Sequence, residues 1–310
     1  MLPSHGNQYR TRNGRRIQFA TNAVGERSAS WSRPHLLSWI IGPAAIAFLI
    51  VAVASIADGS DERAEAVSPV GDVIRPFNGK DLKGLSTWLK ETGKEDPKGV
   101  FSVEDGAIHI SGEGLGYVAT EKAYKNYHLV VEYRWGDHTD GSGYVRNSGV
   151  LLHAVGPDGG ANGTWMTTIE CQLAQGCEGD LIVIRGKDEF GNVIPATITS
   201  ETILASDGRT RWKKGGKKTP YSGKQFWWSK HQVGFKELLD TRGSEDAASP
   251  LGEWTRVECI CDEDMITVKV NGVTVNQCFD VFPSAGKILL QNEGNEIYFR
   301  DFELRPLNKN

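Results

Sequence analysis

Tyr127-His128-Leu129-Val130-Val131-Glu132-Tyr133-Arg134-Trp135 decides the fold class. β-Branched and aromatic residues dominate this run, and its alternate residues would face a core and an outer surface. The same short texture recurs at Val100–Val103, Ala107–Ile110, Ser148–Val155, Thr167–Leu173, Trp254–Cys261, Ile266–Val270, Val273–Cys278, Lys287–Gln291 and Glu296–Leu304. Glu104-Asp105-Gly106, Asp262-Glu263-Asp264 and Val270-Asn271-Gly272 fit the turns between neighbouring strands. After residue 74 only Phe235–Leu239 carries anything like a helical apolar stripe. The spacing predicts an all-β domain, a sandwich or jelly roll.

Composition agrees. The chain has 36 glycines in 310 residues, against roughly 7% in ordinary proteins, so many turns are expected. With 39% hydrophobic and 24% charged residues and a net charge of −4, it is neither disordered, nor a coiled coil, nor a generally basic nucleic-acid binder.

The charge is split. Residues 1–57 carry Arg10, Arg12, Arg15, Arg16, Arg27 and Arg33 against the single acid Glu26, a net of +5, which leaves −9 for the rest. Leu36–Ala57 between them is uncharged throughout. About 20 apolar residues suffice to cross a bilayer. With arginines before it and Asp58, Asp61, Glu62 and Glu65 after it, the positive-inside rule keeps residues 1–35 cytoplasmic and exports the rest. The expectation is a single N-terminal transmembrane helix at 36–57, a linker at 58–73 and a periplasmic or extracellular domain at 74–307. Ala52-Val53-Ala54 and Ser55-Ile56-Ala57 resemble cleavage sites, so secretion after signal removal is the alternative.

Five cysteines follow: Cys171, Cys177, Cys259, Cys261 and Cys278. Cys259 and Cys261 share a strand face and bond poorly, which leaves Cys171 with Cys177 as the expected disulfide. A zinc site and plain burial as small hydrophobes stay open. Residues 185–250 interrupt the strand rhythm with a basic run, Arg209–Lys224, followed by Phe226-Trp227-Trp228. In an exported domain no nucleic-acid partner is expected. Trp227 and Trp228 either stack on sugar faces at a substrate rim or pin the insertion to the sandwich.

Several stretches together resemble one family. Phe77-Asn78-Gly79-Lys80-Asp81-Leu82 with Trp88 is similar to the FNGKDLxGW opening of the 3-keto-disaccharide hydrolase domain (3-keto-α-glucoside-1,2-lyase/3-keto-2-hydroxy-glucal hydratase). Val103–Ile108, Tyr117–Thr120 and Tyr124–Leu129 look like its next strands. Asn147-Ser148-Gly149-Val150 resembles its NSG motif, and Ile169-Glu170-Cys171-Gln172-Leu173 its YExQI strand. Gly252–Thr255 and Gly286–Phe302 resemble its closing motifs. Two positions depart: His153 stands where an arginine often occurs, and Thr255 where asparagine does. The resemblance spans about 74–307 and implies a concanavalin-like jelly roll.

It also implies a substrate: a glycoside already oxidised to a ketone at C3. The ketone acidifies the C2 proton, a base removes it, the C1 substituent leaves, and water adds across the resulting enone. Such a site needs a base, a positive group or metal at the ketone oxygen, and an acid for the leaving group. Glu170, His153 and His138 are the candidate catalytic residues. Asn147, Gln172, Gln291, Arg300, Trp227 and Trp228 are candidates for holding substrate. A divalent metal ion on His153, Glu170 and Glu293 is chemically reasonable, although no metal-spacing signature is present. The chain has no dinucleotide-binding unit, so no nucleotide cofactor is expected. A non-catalytic, lectin-like carbohydrate-binding domain is the competing class, since one fold serves both.

Overall fold

The computed structural model describes residues 65–307. The expected membrane segment 36–57, the tail 1–35 and residues 58–64 of the linker lie outside the described residues. Among the described residues no helix is long and apolar enough to cross a membrane.

The described residues are all-β. The strands are Leu85–Leu89 (β1), Phe101–Glu104 (β2), Ala107–Ile110 (β3), Leu115–Thr120 (β4), Tyr127–Trp135 (β5) and Gly149–Val155 (β6). Thr167–Gln172 (β7), Leu181–Ile184 (β8), Thr197–Leu204 (β9), Thr210–Trp212 (β10) and Lys217–Pro220 (β11) follow. Thr255–Asp262 (β12), Met265–Val270 (β13), Val273–Phe282 (β14), Lys287–Glu293 (β15) and Ile297–Arg305 (β16) complete the order.

They form two sheets. The six-stranded sheet runs β1-β4-β15-β6-β7-β8, and the ten-stranded sheet runs β10-β9-β14-β13-β12-β5-β16-β3-β2, with β11 also on β9. β5 behaves as its alternation predicts: Tyr127, Leu129, Val131, Tyr133 and Trp135 are buried, while Glu132 and Arg134 are partly exposed. The turns follow from residues that tolerate positive φ. Asp105 and Gly106 (φ 48 and 80) join β2 to β3, and Asn271 and Gly272 (φ 46 and 80) join β13 to β14. Two successive positive φ values match the strand twist in a two-residue hairpin.

The core lies between the sheets. Val118, Val150, Leu152, Ile169 and Leu290 come from one side, and Ile108, Leu129, Val131, Val257, Val268 and Phe299 from the other. A second cluster, Tyr117, Leu151, Met166 and Leu289 with Trp88 and Trp165, sits on the opposite face of the six-stranded sheet.

Residues 185–250 contain β9, β10 and β11, which extend the ten-stranded sheet. Phe235–Leu239 is not helical. The basic run is partly structural: buried Arg211 makes a two-pronged contact with Asp207, at 2.8 and 2.7 Å. The expected Cys171–Cys177 disulfide is not formed. All five thiols are free and buried; Cys171, Cys259, Cys261 and Cys278 pack in the intersheet core, and Cys177 in a small separate cluster with Val145, Ala174 and Phe235. They serve as small hydrophobes.

Candidate active site

The site is built on three neighbouring strands, β15, β6 and β7. Leu289 pairs with Leu151 and Leu290 with Val150, while Leu151 also pairs with Glu170 and Gly149 with Gln172. That register brings Gln291, Gly149 and Gln172 into one row, with Glu170 in the next row on the same face, because cross-strand partners project together. Gly149 is required for space. A Cβ there would lie 2.7 Å from Gln291 Oε1 and 2.8 Å from Glu170 Oε1, so the two head groups converge over the bare backbone. Glu293 lies two residues beyond Gln291, and the Asn147 amide donates to its Oε2. The Ser148 hydroxyl donates to the Gln291 carbonyl at 2.8 Å and ties β15 to the β6 entry.

The electrostatics are unusual for a sheet surface. Burial, and then the neighbouring Glu293 charge, push the Glu170 carboxyl well above the usual carboxylate range. Burial pushes Glu293 up to about 7. Among the described residues no cation offsets either group, so the pair binds protons where ordinary carboxylates are ionised. Around them Asn147 Oδ1, Gln172 Oε1 and Gln291 Oε1 are buried without a hydrogen-bond donor. Each such orphan costs about 1–3 kcal/mol. Beside two protonatable carboxyls, these three oxygens leave free lone pairs that the hydroxyls of a sugar would fill.

Glu170, Gln172, Gln291, Asn147 and Glu293 are thus brought together. His153 is not. The register shift between Leu152 and Val155 inserts a residue into β6, and His153 sits there at φ 54. Its ring turns into the core, edge-on to Tyr127 at 5.8 Å, with Nδ1 3.1 Å from the Pro283 carbonyl. Burial lowers its pKa to about 4, so it is neutral. It joins neither carboxyl as a metal ligand, and among the described residues no three His, Cys, Asp or Glu side chains form a metal-holding group.

His138 lies exposed in the β5–β6 loop, held by its backbone: its N–H donates to Glu296 Oε2 at 3.0 Å. Arg300 is on the other sheet, paired with Glu132 at 2.8 Å and stacked on Trp254 at 4.0 Å. It is not brought to the Glu170–Glu293 face, which belongs to the six-stranded sheet. Trp228 is core, 3% exposed, its N–H donating to Asp180 Oδ1 at 2.6 Å. Trp227 is covered by Arg209 at 4.0 Å and by His231 at 4.5 Å. Trp228 pins the insertion to the core, and partly exposed Trp227 has its ring stacked between Arg209 and His231.

A family described as the 3-keto-alpha-glucoside-1,2-lyase-like domain matches residues 72–305, from before β1 to the end of β16 and through 185–250. This chain belongs to that family. Comparison with curated proteins gives no match. Among solved structures, a candidate glycosyl hydrolase of Parabacteroides distasonis is 19% identical, with a TM-score of 0.43 over 76% of this chain and 94% of that one. A carbohydrate-binding module, CBM66 of Bacillus subtilis, is 8% identical, with a TM-score of 0.39 over 71% and 93%. The Bacillus licheniformis beta-glucanase is 11% identical, with a TM-score of 0.38 over 77% and 100%.

Within this 3-keto-alpha-glucoside-1,2-lyase-like domain, two buried carboxyls escaped the sequence reading. Desolvation raises Glu178, whose Oε1 accepts from the Tyr133 hydroxyl at 3.3 Å, and Asp180, which accepts from Gln225 at 2.9 Å. Their segment, Cys177-Glu178-Gly179-Asp180, reads as a polar turn, and nothing in it signals that the whole turn folds inward. Tyr117, which pairs with Gln291, and Trp165, 6.4 Å from the Tyr117 ring, were likewise missed as parts of this sheet face.

Proposed function

We propose that the protein cleaves glycosides already oxidised to a ketone at C3, by elimination and rehydration. The Glu170–Glu293 pair carries this reading: two carboxyls on one sheet face, both raised, close enough for one charge to disfavour the other. Near neutral pH such a pair offers an ionised base and a protonated acid together. Glu293, the less deeply buried, ionises first and takes the C2 proton that the ketone has acidified. The C2–H electron pair becomes the C1=C2 bond, the C1–O bond breaks, and Glu170 gives its proton to the departing oxygen. Glu170, now ionised, draws a proton from water as the oxygen adds to C1, and Glu293 returns its proton to C2. Atoms and charge balance to a net hydrolysis. The roles reverse the expectation of Glu170 as the base. The free amide oxygens of Asn147, Gln172 and Gln291 accept sugar hydroxyls.

A hard divalent cation would fit the same all-oxygen set of two carboxyls and three amide oxygens, but it would hold both carboxyls ionised and so takes the place of the Glu170 acid rather than acting beside it. The set excludes His153. Such an ion would supply positive charge for the ketone oxygen. In a lectin-like domain a raised carboxyl pair has no task, so the pair favours the enzyme. The charge split along the sequence supports export of the domain behind a tether at 36–57.

The test is incubation of the full-length protein with a 3-keto-glucoside carrying a chromogenic aglycone. Release that disappears in both Glu170→Gln and Glu293→Gln is expected, with no release from the unoxidised glucoside. Equal hydrolysis of the unoxidised glucoside would make the protein an ordinary glycosidase, and binding without any release would make it a lectin.

A further inference from the structure

The row of side chains beside the carboxyl pair continues across the sheet into aromatic residues. Gln291 pairs with Tyr117 on β4, and Tyr117 pairs with Trp88 on β1. Trp88, Tyr117, Gln291, Gly149 and Gln172 therefore form one line over five adjacent strands. At about 4.8 Å per strand the line is about 19 Å long, more than one sugar ring occupies.

The far end of that line is built like a sugar subsite. Tyr117 is its buried floor, and its hydroxyl donates to Asp158 Oδ1 at 2.7 Å. Trp165 lies 6.4 Å from the Tyr117 ring, and both Trp165 and Trp88 keep part of their surface exposed. Trp88 is fixed edgewise by glycine: a Cβ on Gly159 would come within 2.8 Å of its Cζ2, and its Nε1 donates to the Gly163 carbonyl at 3.4 Å. Asp158 Oδ2 has Lys94 Nζ 3.8 Å away. Flat apolar rings beside a carboxylate and an ammonium group match the apolar face and hydroxyl rim of a pyranose.

We infer that Trp165, Trp88 and Asp158 form the subsite for the departing sugar, which makes them the residues that select a disaccharide over a glycoside with a small aglycone. The inference rests on the proposed reaction and assigns the specificity to the β1–β4 end of the sheet, not to the Trp227-Trp228 insertion.

Trp165→Ala tests it, read as KM for a 3-keto-disaccharide divided by KM for 3-keto methyl glucoside. The ratio is expected to rise about 10-fold, as loss of one aromatic contact implies, and to return most of the way in Trp165→Phe. A ratio that stays constant in Trp165→Ala overturns the inference, as does the same rise in Trp227→Ala. Binding of unoxidised trehalose and of glucose by the full-length protein, followed by saturation-transfer NMR, separates this subsite from the proposed chemistry. If no 3-keto-glycoside is turned over, a preference for trehalose that Trp165→Ala abolishes and Trp165→Phe keeps still supports the subsite. Equal signals from both sugars in the wild type refute it. Should Trp165→Ala fail to fold, Asp158→Asn carries the same two readouts with the same expected direction.

Discussion

Glu170 on β7 and Glu293 on β15 share one face of the six-stranded sheet, with the bare backbone of Gly149 on β6 between their strands. Two consequences can be measured. Removing either carboxyl removes half of an acid–base pair, so Glu170→Gln and Glu293→Gln should each lower kcat by about 100-fold or more. An unchanged kcat in a folded Glu170→Gln protein would make the pair structural.

The same pair sets a pH dependence of stability. A carboxyl whose folded pKa exceeds its unfolded value holds its proton better when folded, so stability falls as pH rises between the two values. For Glu293 that window runs from 4.5 to about 7, and for Glu170 it starts at 4.5 and extends upward. Glu170→Gln should therefore have a higher Tm than the wild type at pH 8, and the difference should vanish at pH 4. A Tm difference independent of pH would mean that folding does not shift the Glu170 pKa.

Gly149→Ala probes the geometry with one methyl group. The new Cβ would press on the ends of Gln291 and Glu170, which can swing aside. Stability should change little, while kcat falls about 10-fold because the carboxyls leave their productive positions. Thermal melts and initial rates on the same preparation distinguish this from global damage.

Much of the fold was legible because its determinants are local. Period-two burial in Tyr127–Trp135 and the Asp105-Gly106 and Asn271-Gly272 turns act within a few residues. The shared face of Glu170 and Gln172 follows from strand parity alone. His153 illustrates the failure: one inserted residue between Leu152 and Val155 reverses the parity, and no residue type announces it. Arg300 could be given a strand but not a sheet, since sheet membership depends on pairings between β3, β5 and β16 that are distant in sequence. Trp227 and Trp228 look alike as pins or as a rim, because the difference is what covers them.

For the insertion, burial predicts a stability role. Trp228 sits in the core, so Trp228→Ala should cost about 3–5 kcal/mol and lower Tm by many degrees. Arg211→Met leaves the Asp207 carboxylate without its two-pronged partner and should also be strongly destabilising. In both variants the protein that remains folded should keep its KM ratio between disaccharide and methyl glycoside. A selective rise for the disaccharide would restore the sugar-rim reading of this segment.

His153 separates a core histidine from a catalytic one. Its backbone at φ 54 suits asparagine, so His153→Asn keeps the turn of the strand while removing the ring from Tyr127. The folded pKa of about 4 lies below the unfolded 6.5. Between those values the unfolded chain binds the extra proton, so the wild type loses stability as pH falls from 6.5 to 4, by about 3 kcal/mol in total. His153→Asn should be less stable than the wild type at pH 8 because the ring packing is gone. It should then lose less on acidification, so the two stability curves converge toward pH 4. Denaturant melts across this range give the comparison, and the pH–rate profile supplies the second arm. If His153 only packs the core, both limbs of the kcat profile keep their positions in the variant. A limb near pH 6 that disappears with the imidazole would return His153 to the reaction.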